Sequence, residues 1–174
     1  MKINIEIKAR LPTTDLAAFR AKVEALGPDG PVSIIKQEDT FFNAPNARLK
    51  LRVIDEKESQ LISYKRSDQY GPKGSVYEKV PVIEPQSLKR ALEMSHGIKG
   101  TVSKTRYLYV IGQTRVHCDA VKGLGDFMEL EVVLNEGQSL EEGDVIAKKL
   151  MKDLEIKDEH LVKGAYLDLL ILKS

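Results

Sequence analysis

The stretch VSKTRYLYVIGQTRVHCDAVKGLGDFMELEVV, residues 102–133, decides the fold. It reads as three strands. Those at 101–111 and 114–120 join tightly through Gly112 and Gln113, and a turn with Gly123 and Gly125 leads into 127–134. Side chains alternate along a strand, so residues i and i+2 share a face. Lys104/Arg106 and Glu129/Glu131 are therefore same-sign pairs on one face, with Met128, Leu130 and Val132 on the other. An antiparallel sheet with one packed face carries this pattern.

Working outward, LKLRV repeats it, with Lys50/Arg52 opposite Leu49, Leu51 and Val53, and INIEIKA at the start carries the mixed pair Glu6/Lys8. Further strands are expected at 2–10, 33–42, 48–54, 60–65 and 75–83. Thr14 and Asp15 offer an N-cap to LAAFRAKVEAL, where Leu16, Phe19, Val23 and Leu26 recur at helical spacing before Gly27. A second helix runs from Gln86 or Ser87 to about His96, stopped by Gly97. A third spans 140–153 with Leu140, Val145, Ile146, Leu150 and Leu154 as its core stripe, and the apolar GAYLDLLIL follows. About eight short strands with few helices predict an α+β fold, an antiparallel sheet curled into a barrel with helices on its apolar outer face. The charged face then points inward or to solvent, and periodicity alone does not choose. With no repeat or linker, residues 1–174 read as one domain.

Lys plus Arg is 27 against 26 for Asp plus Glu, a net charge of +1, which gives no support to a nucleic-acid or membrane-surface partner. Cys118 is the single cysteine, so no intramolecular disulfide and no cysteine-based zinc site forms. The start is no signal peptide, and no apolar run approaches the ~20 residues of a membrane span. A soluble cytoplasmic protein, monomer or homodimer, is expected.

A solvated strand face usually mixes signs, whereas here charge is sorted by strand: two purely basic pairs and one purely acidic. Arginine recurs beside lysine, and its fork matches phosphate oxygens. Lys65, Glu78 and Asp119 also fall in strands. A lining of this kind suits phosphoryl transfer. A triphosphate carries about four negative charges, and each opposite charge at ~4 Å is worth a few kcal/mol at an effective dielectric of roughly 20. The carboxylates then serve to hold hard cations, Mg²⁺ or Mn²⁺, that bridge phosphates.

On IEIKAR (5–10), QEDTFF (37–42), LKLR (49–52), SYKR (63–66), VYEKV (76–80), KTRYLY (104–109) and HCDAVKGLGDFMELE (117–131), the chain resembles a CYTH-domain protein of the triphosphate tunnel metalloenzyme superfamily, close to its class IV (CyaB-type) adenylyl cyclase-like branch. The resemblance implies an eight-stranded antiparallel tunnel that binds a small-molecule triphosphate. It implies Lys8, Lys50, Arg52, Lys65, Lys104, Arg106 and Lys163 as phosphate contacts, with Lys65, Glu78 and Arg106 the candidates for catalysis. Glu6, Asp119, Glu129 and Glu131 would hold Mg²⁺ or Mn²⁺, and AYLDLL would close one end. Two positions depart from the pattern. The family's Glu-x-Glu-x-Lys opening reads Asn4-Ile5-Glu6-Ile7-Lys8, and its Asp-x-Tyr reads Asp39-Thr40-Phe41.

His96, His117 and His160 have no metal-site spacing and read as structural or surface residues. His117 and Cys118 are adjacent in a strand and face opposite ways, so they form no nucleophile pair. GPKG in the 66–75 loop lacks the length and terminal Ser/Thr of a Walker A motif. The expected function is metal-dependent hydrolysis of a triphosphate, inorganic tripolyphosphate or a nucleoside triphosphate. The alternatives are a cyclase converting ATP to cyclic AMP and pyrophosphate, and a non-catalytic triphosphate-binding module.

Overall fold

The computed structural model describes residues 2–11, 15–66 and 73–173, and its strands close into one antiparallel barrel. Chain order is β1 (Lys2–Arg10), α1 (Leu16–Ala25), β2 (Ser33–Phe42), β3 (Arg48–Ile54), β4 (Glu58–Arg66), β5 (Lys73–Pro81), α2 (Pro85–His96), β6 (Ile98–Ile111), β7 (Thr114–Val121), β8 (Gly125–Val133), α3 (Leu140–Asp153), a 3-10 turn at Asp158–His160, and α4 (Tyr166–Lys173). Around the wall the order is β1-β5-β4-β3-β2-β6-β7-β8, and β8 pairs with β1 to close it. Closure leaves no free strand edge. The expected α+β barrel is the fold. The cap from Thr14 and the loop at 67–72 lie outside the described residues, as does the side chain of Lys73.

Local chemistry sets the turns. Gly112 takes φ 58° in the β6–β7 hairpin. Asp55 and Glu56, in the three-residue loop 55–57 between β3 and β4, both adopt positive φ, 51° and 59°, and the Lys57 N–H closes the turn on the Ile54 carbonyl at 2.9 Å. The Asp55 carboxylate accepts the Lys36 N–H at 2.8 Å, which fixes that turn against β2.

The outer face is packed where helices lie on it. Ile5, Ile7 and Ala9 of β1, Val116 and Cys118 of β7, and Met128, Leu130 and Val132 of β8 are buried in one core with residues of α1 and α3. Asp15 caps α1 through the Ala18 N–H, and Ser139 and Glu142 cap α3 reciprocally. The α3 stripe differs from the expected one. Gly143, Ala147 and Leu150 are buried with Leu154, whereas Leu140 and Val145 are exposed. The helix lies so close to β1 that a Cβ on Gly143 would sit 2.7 Å from Ile5 Cγ1 and 2.5 Å from Leu134 Cδ2. Small residues at 143 and 147 permit that approach and turn Leu140 and Val145 outward. α2 lies against β2 and β3.

α4 closes one end of the barrel, as the family resemblance implied for AYLDLL. Tyr166 and Leu167 join Phe41, Ile62, Tyr64, Val102 and Phe127 in a second apolar cluster. Asp168 holds α4 in place by accepting Arg48 Nη2 at 2.7 Å and the Ala165 N–H at 2.9 Å. No described helix is long and apolar enough to cross a membrane.

Candidate functional site

The residues that alternate with the buried outer set point into the barrel. They surround a cavity of about 90 Å³ bounded at one end by Ala165 and Tyr166.

Two cross-strand units organise those charges. Asp39 on β2 stands opposite Arg52 on β3, and Asp119 on β7 stands opposite Arg106 on β6. Each arginine forks onto its carboxylate. Arg52 donates Nε and Nη2 to Asp39 at 2.8 Å each, and Arg106 donates the same nitrogens to Asp119 at 2.8 and 2.7 Å. Lys50 and Lys104 also reach Asp39, at 3.2 and 3.7 Å. Arg106 continues to Glu129 at 2.8 Å, and Lys8 meets Glu129 at 3.3 Å. Five interior cations thus share three carboxylates. Such bidentate, desolvated pairs are strong and geometrically defined.

The electrostatics follow from this crowding. Burial pushes the Asp39 carboxyl up, but Arg52, Lys50 and Lys104 outweigh it and hold the group well below the usual carboxylate range. Burial likewise opposes ionisation of Glu129, and Lys8 with Arg106 and His117 holds it well below its usual value. The lysines move the other way. Burial, reinforced by Arg52, pulls Lys50 down to about 8, and burial with Arg106 takes Lys104 well below the lysine range. A polyanion entering this cavity restores the charge on Lys50 by taking up a proton. Tripolyphosphate affinity is therefore expected to weaken, by up to about ten-fold per pH unit, as pH rises through about 8. Calorimetric titration from about pH 7 to about pH 9 reads that slope, which Lys50→Arg should flatten; an equally steep fall in the variant would contradict Lys50 as its source.

Of the residues singled out in the sequence, Lys8, Lys50, Arg52, Lys104, Arg106, Glu6, Glu129 and Glu131 line the cavity. Asp119 lies behind Arg106, fully buried. Its oxygens are taken by that guanidinium and by Tyr166 Oη, which donates at 2.8 Å, so it holds the arginine rather than facing the cavity. Lys65, Glu78 and Lys163 lie outside the cavity lining. Lys65 and Glu78 are exposed on the outer face of β4 and β5, because Tyr64 and Tyr77, a directly paired couple, occupy the inward phase of those strands. A one-residue shift of phase exchanges the faces. Lys163 is exposed in the segment before α4, beside a surface recess with Arg10 and Asp168.

Sequence reasoning missed Asp39, His117, Tyr77 and Tyr166 as interior residues, and Lys79 at the cavity rim. Asp39 had a usable signal, since it and Arg52 are equidistant from the Pro45–Asn46 centre of their hairpin, as Arg106 and Asp119 are from Gly112–Gln113. His117 is buried with Nδ1 3.4 Å from Glu129, and burial together with Arg106 lowers its pKa. Tyr166 receives Lys8 and Lys104 over its ring, 4.1 and 5.0 Å from the centroid.

The donor set fits a hard divalent cation. Glu6 and Glu131 face each other across the β1–β8 ladder, and the buried Asn4 side chain two residues before Glu6 has an Oδ1 with no hydrogen-bond partner among the described residues. Among the described residues no three acid, histidine or cysteine side chains converge on one point. Mg²⁺ is usually held by one or two carboxylates, with substrate phosphates and water completing its octahedron. Oxygen donors incomplete by themselves match that habit.

The CYTH domain matches residues 2–166 of the chain. The adenylate cyclase CyaB of Aeromonas hydrophila is 26% identical over 145 residues, 78% of this chain and 71% of that protein. Among solved structures, PH1012 from Pyrococcus horikoshii superposes with a TM-score of 0.84 at 24% identity, covering 98% of this chain and 99% of that one. The Hippeastrum adenylyl cyclase candidate HpAC1, described as having a dominant triphosphatase activity, superposes with a TM-score of 0.68 at 13% identity over 100% of this chain and 97% of its own. The chain belongs to the CYTH-domain family.

Proposed function

We propose that the protein is a divalent-metal-dependent hydrolase of the triphosphate group of a small molecule, inorganic tripolyphosphate or a nucleoside triphosphate. The observation that carries this reading is the set of five interior cations, Lys8, Lys50, Arg52, Lys104 and Arg106, gathered in a barrel whose one end α4 closes. On binding, these side chains exchange part of their carboxylate contacts for phosphate oxygens. Asp39 and Asp119 keep the two guanidinium forks oriented while they do so. Water adds at the terminal phosphorus as the bridging P–O bond breaks, its proton passes to a phosphate oxygen of the products or to solvent, and the cations neutralise charge gathering on the departing oxygen. Glu6 and Glu131, with Asn4 Oδ1 and Glu129, would hold Mg²⁺ or Mn²⁺, which would supply a Lewis acid for a phosphoryl oxygen. The HpAC1 likeness supports hydrolysis, and the Aeromonas CyaB relative supports cyclisation of ATP as the second reading.

Both are read in one experiment, ³¹P NMR of the protein with ATP or tripolyphosphate and Mg²⁺ or Mn²⁺. Orthophosphate release is the expected result. Pyrophosphate with a cyclic phosphate signal from ATP makes the protein a cyclase, and no turnover with either substrate overturns both. In the same assay Glu131→Gln is expected to cut turnover at least about ten-fold with an unchanged circular dichroism spectrum, the order seen when an electrostatic group is lost from a reacting site. Undiminished turnover would remove Glu131 from the cation-holding set.

A further inference from the structure

β5 sends into the cavity not Glu78 but its neighbours Tyr77 and Lys79. Lys79 differs from the five deeper cations. Each of those has a carboxylate within 4 Å, and all but Lys50 are less than a tenth exposed. Lys79 is exposed at the cavity rim and, among the described residues, makes no hydrogen bond or ion pair. Its ammonium lies over the Tyr77 ring, 5.1 Å from the centroid. The charges that act on it are Glu131 on one side and Arg115, Arg52 and Arg106 on the other, so it extends the interior row of cations outward.

The aromatic rings are placed the opposite way from what a nucleoside needs. Phe41, Tyr64 and Tyr166 are buried at the α4 end, and Lys50, Lys8 and Lys104 cover their faces. Tyr77 is the one partly buried ring of the cavity among the described residues, and Lys79 covers it. A base stacking at the rim would have to displace a cation from that ring, whereas a phosphate there would gain one.

We propose that Lys79, seated on Tyr77, binds the outer end of the substrate and selects one whose outer group is anionic, a linear inorganic tri- or longer polyphosphate, over a nucleoside triphosphate. This rests on the reading that the cavity takes a triphosphate. An unengaged cation at the mouth also draws the polyanion in from solution before the buried cations are exchanged.

The test compares kcat/KM for tripolyphosphate and for ATP in wild type, Lys79→Met and the outward-facing control Glu78→Gln. Lys79→Met keeps the stem over Tyr77 and removes the charge. It is expected to lower kcat/KM for tripolyphosphate about ten-fold, mainly through KM, and to change that for ATP less than about two-fold, as loss of one charge-assisted contact predicts. Glu78→Gln should leave both unchanged. Equal losses for the two substrates, or none, would overturn the proposal. Failure of the wild type to bind either substrate would instead overturn the triphosphate reading itself.

Discussion

Asp39→Asn is expected to lower the melting temperature by roughly 6–20 °C and, at the same time, to enlarge the stabilisation that tripolyphosphate confers. Asp39 is 1% exposed and neutralises Arg52, Lys50 and Lys104 together. Removing its charge strands three buried cations. Breaking a buried ion pair by removing one partner costs about 3–5 kcal/mol. For a chain of this size each kcal/mol moves the midpoint about 2–4 °C, which gives the range above. The same three cations are those the ligand needs, and without Asp39 they meet it with no internal competitor. Differential scanning fluorimetry with and without tripolyphosphate measures both effects. A variant as stable as wild type, or one whose ligand-induced shift is smaller, would contradict this role for Asp39. The folded pKa of Asp39 is depressed, so its stabilisation is complete above the unfolded aspartate value of about 3.9 and is lost as pH falls toward the folded one. The acid limb of the variant's stability curve should accordingly be shallower.

Arg106→Ala carries the second large effect. It removes the fork to Asp119 and the contact to Glu129 in one step. Asp119, wholly buried, then keeps the Tyr166 hydroxyl as its hydrogen-bonding side-chain partner among the described residues. Stability should again fall by about 3–5 kcal/mol. Triphosphate affinity should fall by about 2 kcal/mol or more, roughly thirty-fold, because a charge-assisted contact is lost. Adding Asp119→Asn separates the two effects. The double variant should recover part of the stability and none of the affinity. Unchanged affinity in Arg106→Ala would move that residue out of the binding site, and recovery of affinity in the double variant would mean that Arg106 acts only through stability.

The barrel could be read from the chain because its informative strands are two-faced. In β3 and β8 charged residues alternate with apolar ones, and in β6 Lys104 and Arg106 share a face, so period-2 alternation marks the strands and the residues that share a face. β4 and β5 lack that contrast. They carry charge on the outer face (Lys65, Glu78) and aromatic rings on the inner one (Tyr64, Tyr77), the reverse of the pattern in the other strands. Charge was the cue for inward, and there it pointed the wrong way. Among the described side chains of β5, Lys79 continues the cationic lining. The pairing of Asp39 with Arg52 was within reach of hairpin geometry, but Tyr166 was not. Its entry into the site depends on how α4 docks, which no local spacing encodes. α3 misled in a similar way. Its larger apolar residues suggested the buried stripe, yet close packing against Ile5 and Leu134 selected Gly143 and Ala147.

The central claim, that the barrel interior is a binding site for a linear triphosphate, is tested most directly by isothermal titration calorimetry of tripolyphosphate into the wild-type protein with Mg²⁺. Orthophosphate and the Arg52→Ala variant serve as controls. The account predicts saturation at one triphosphate per chain, no saturation with orthophosphate over the same range, and an affinity at least about ten-fold weaker in Arg52→Ala, as loss of a bidentate contact requires. Absence of saturable binding, or binding that Arg52→Ala leaves unchanged, would contradict it.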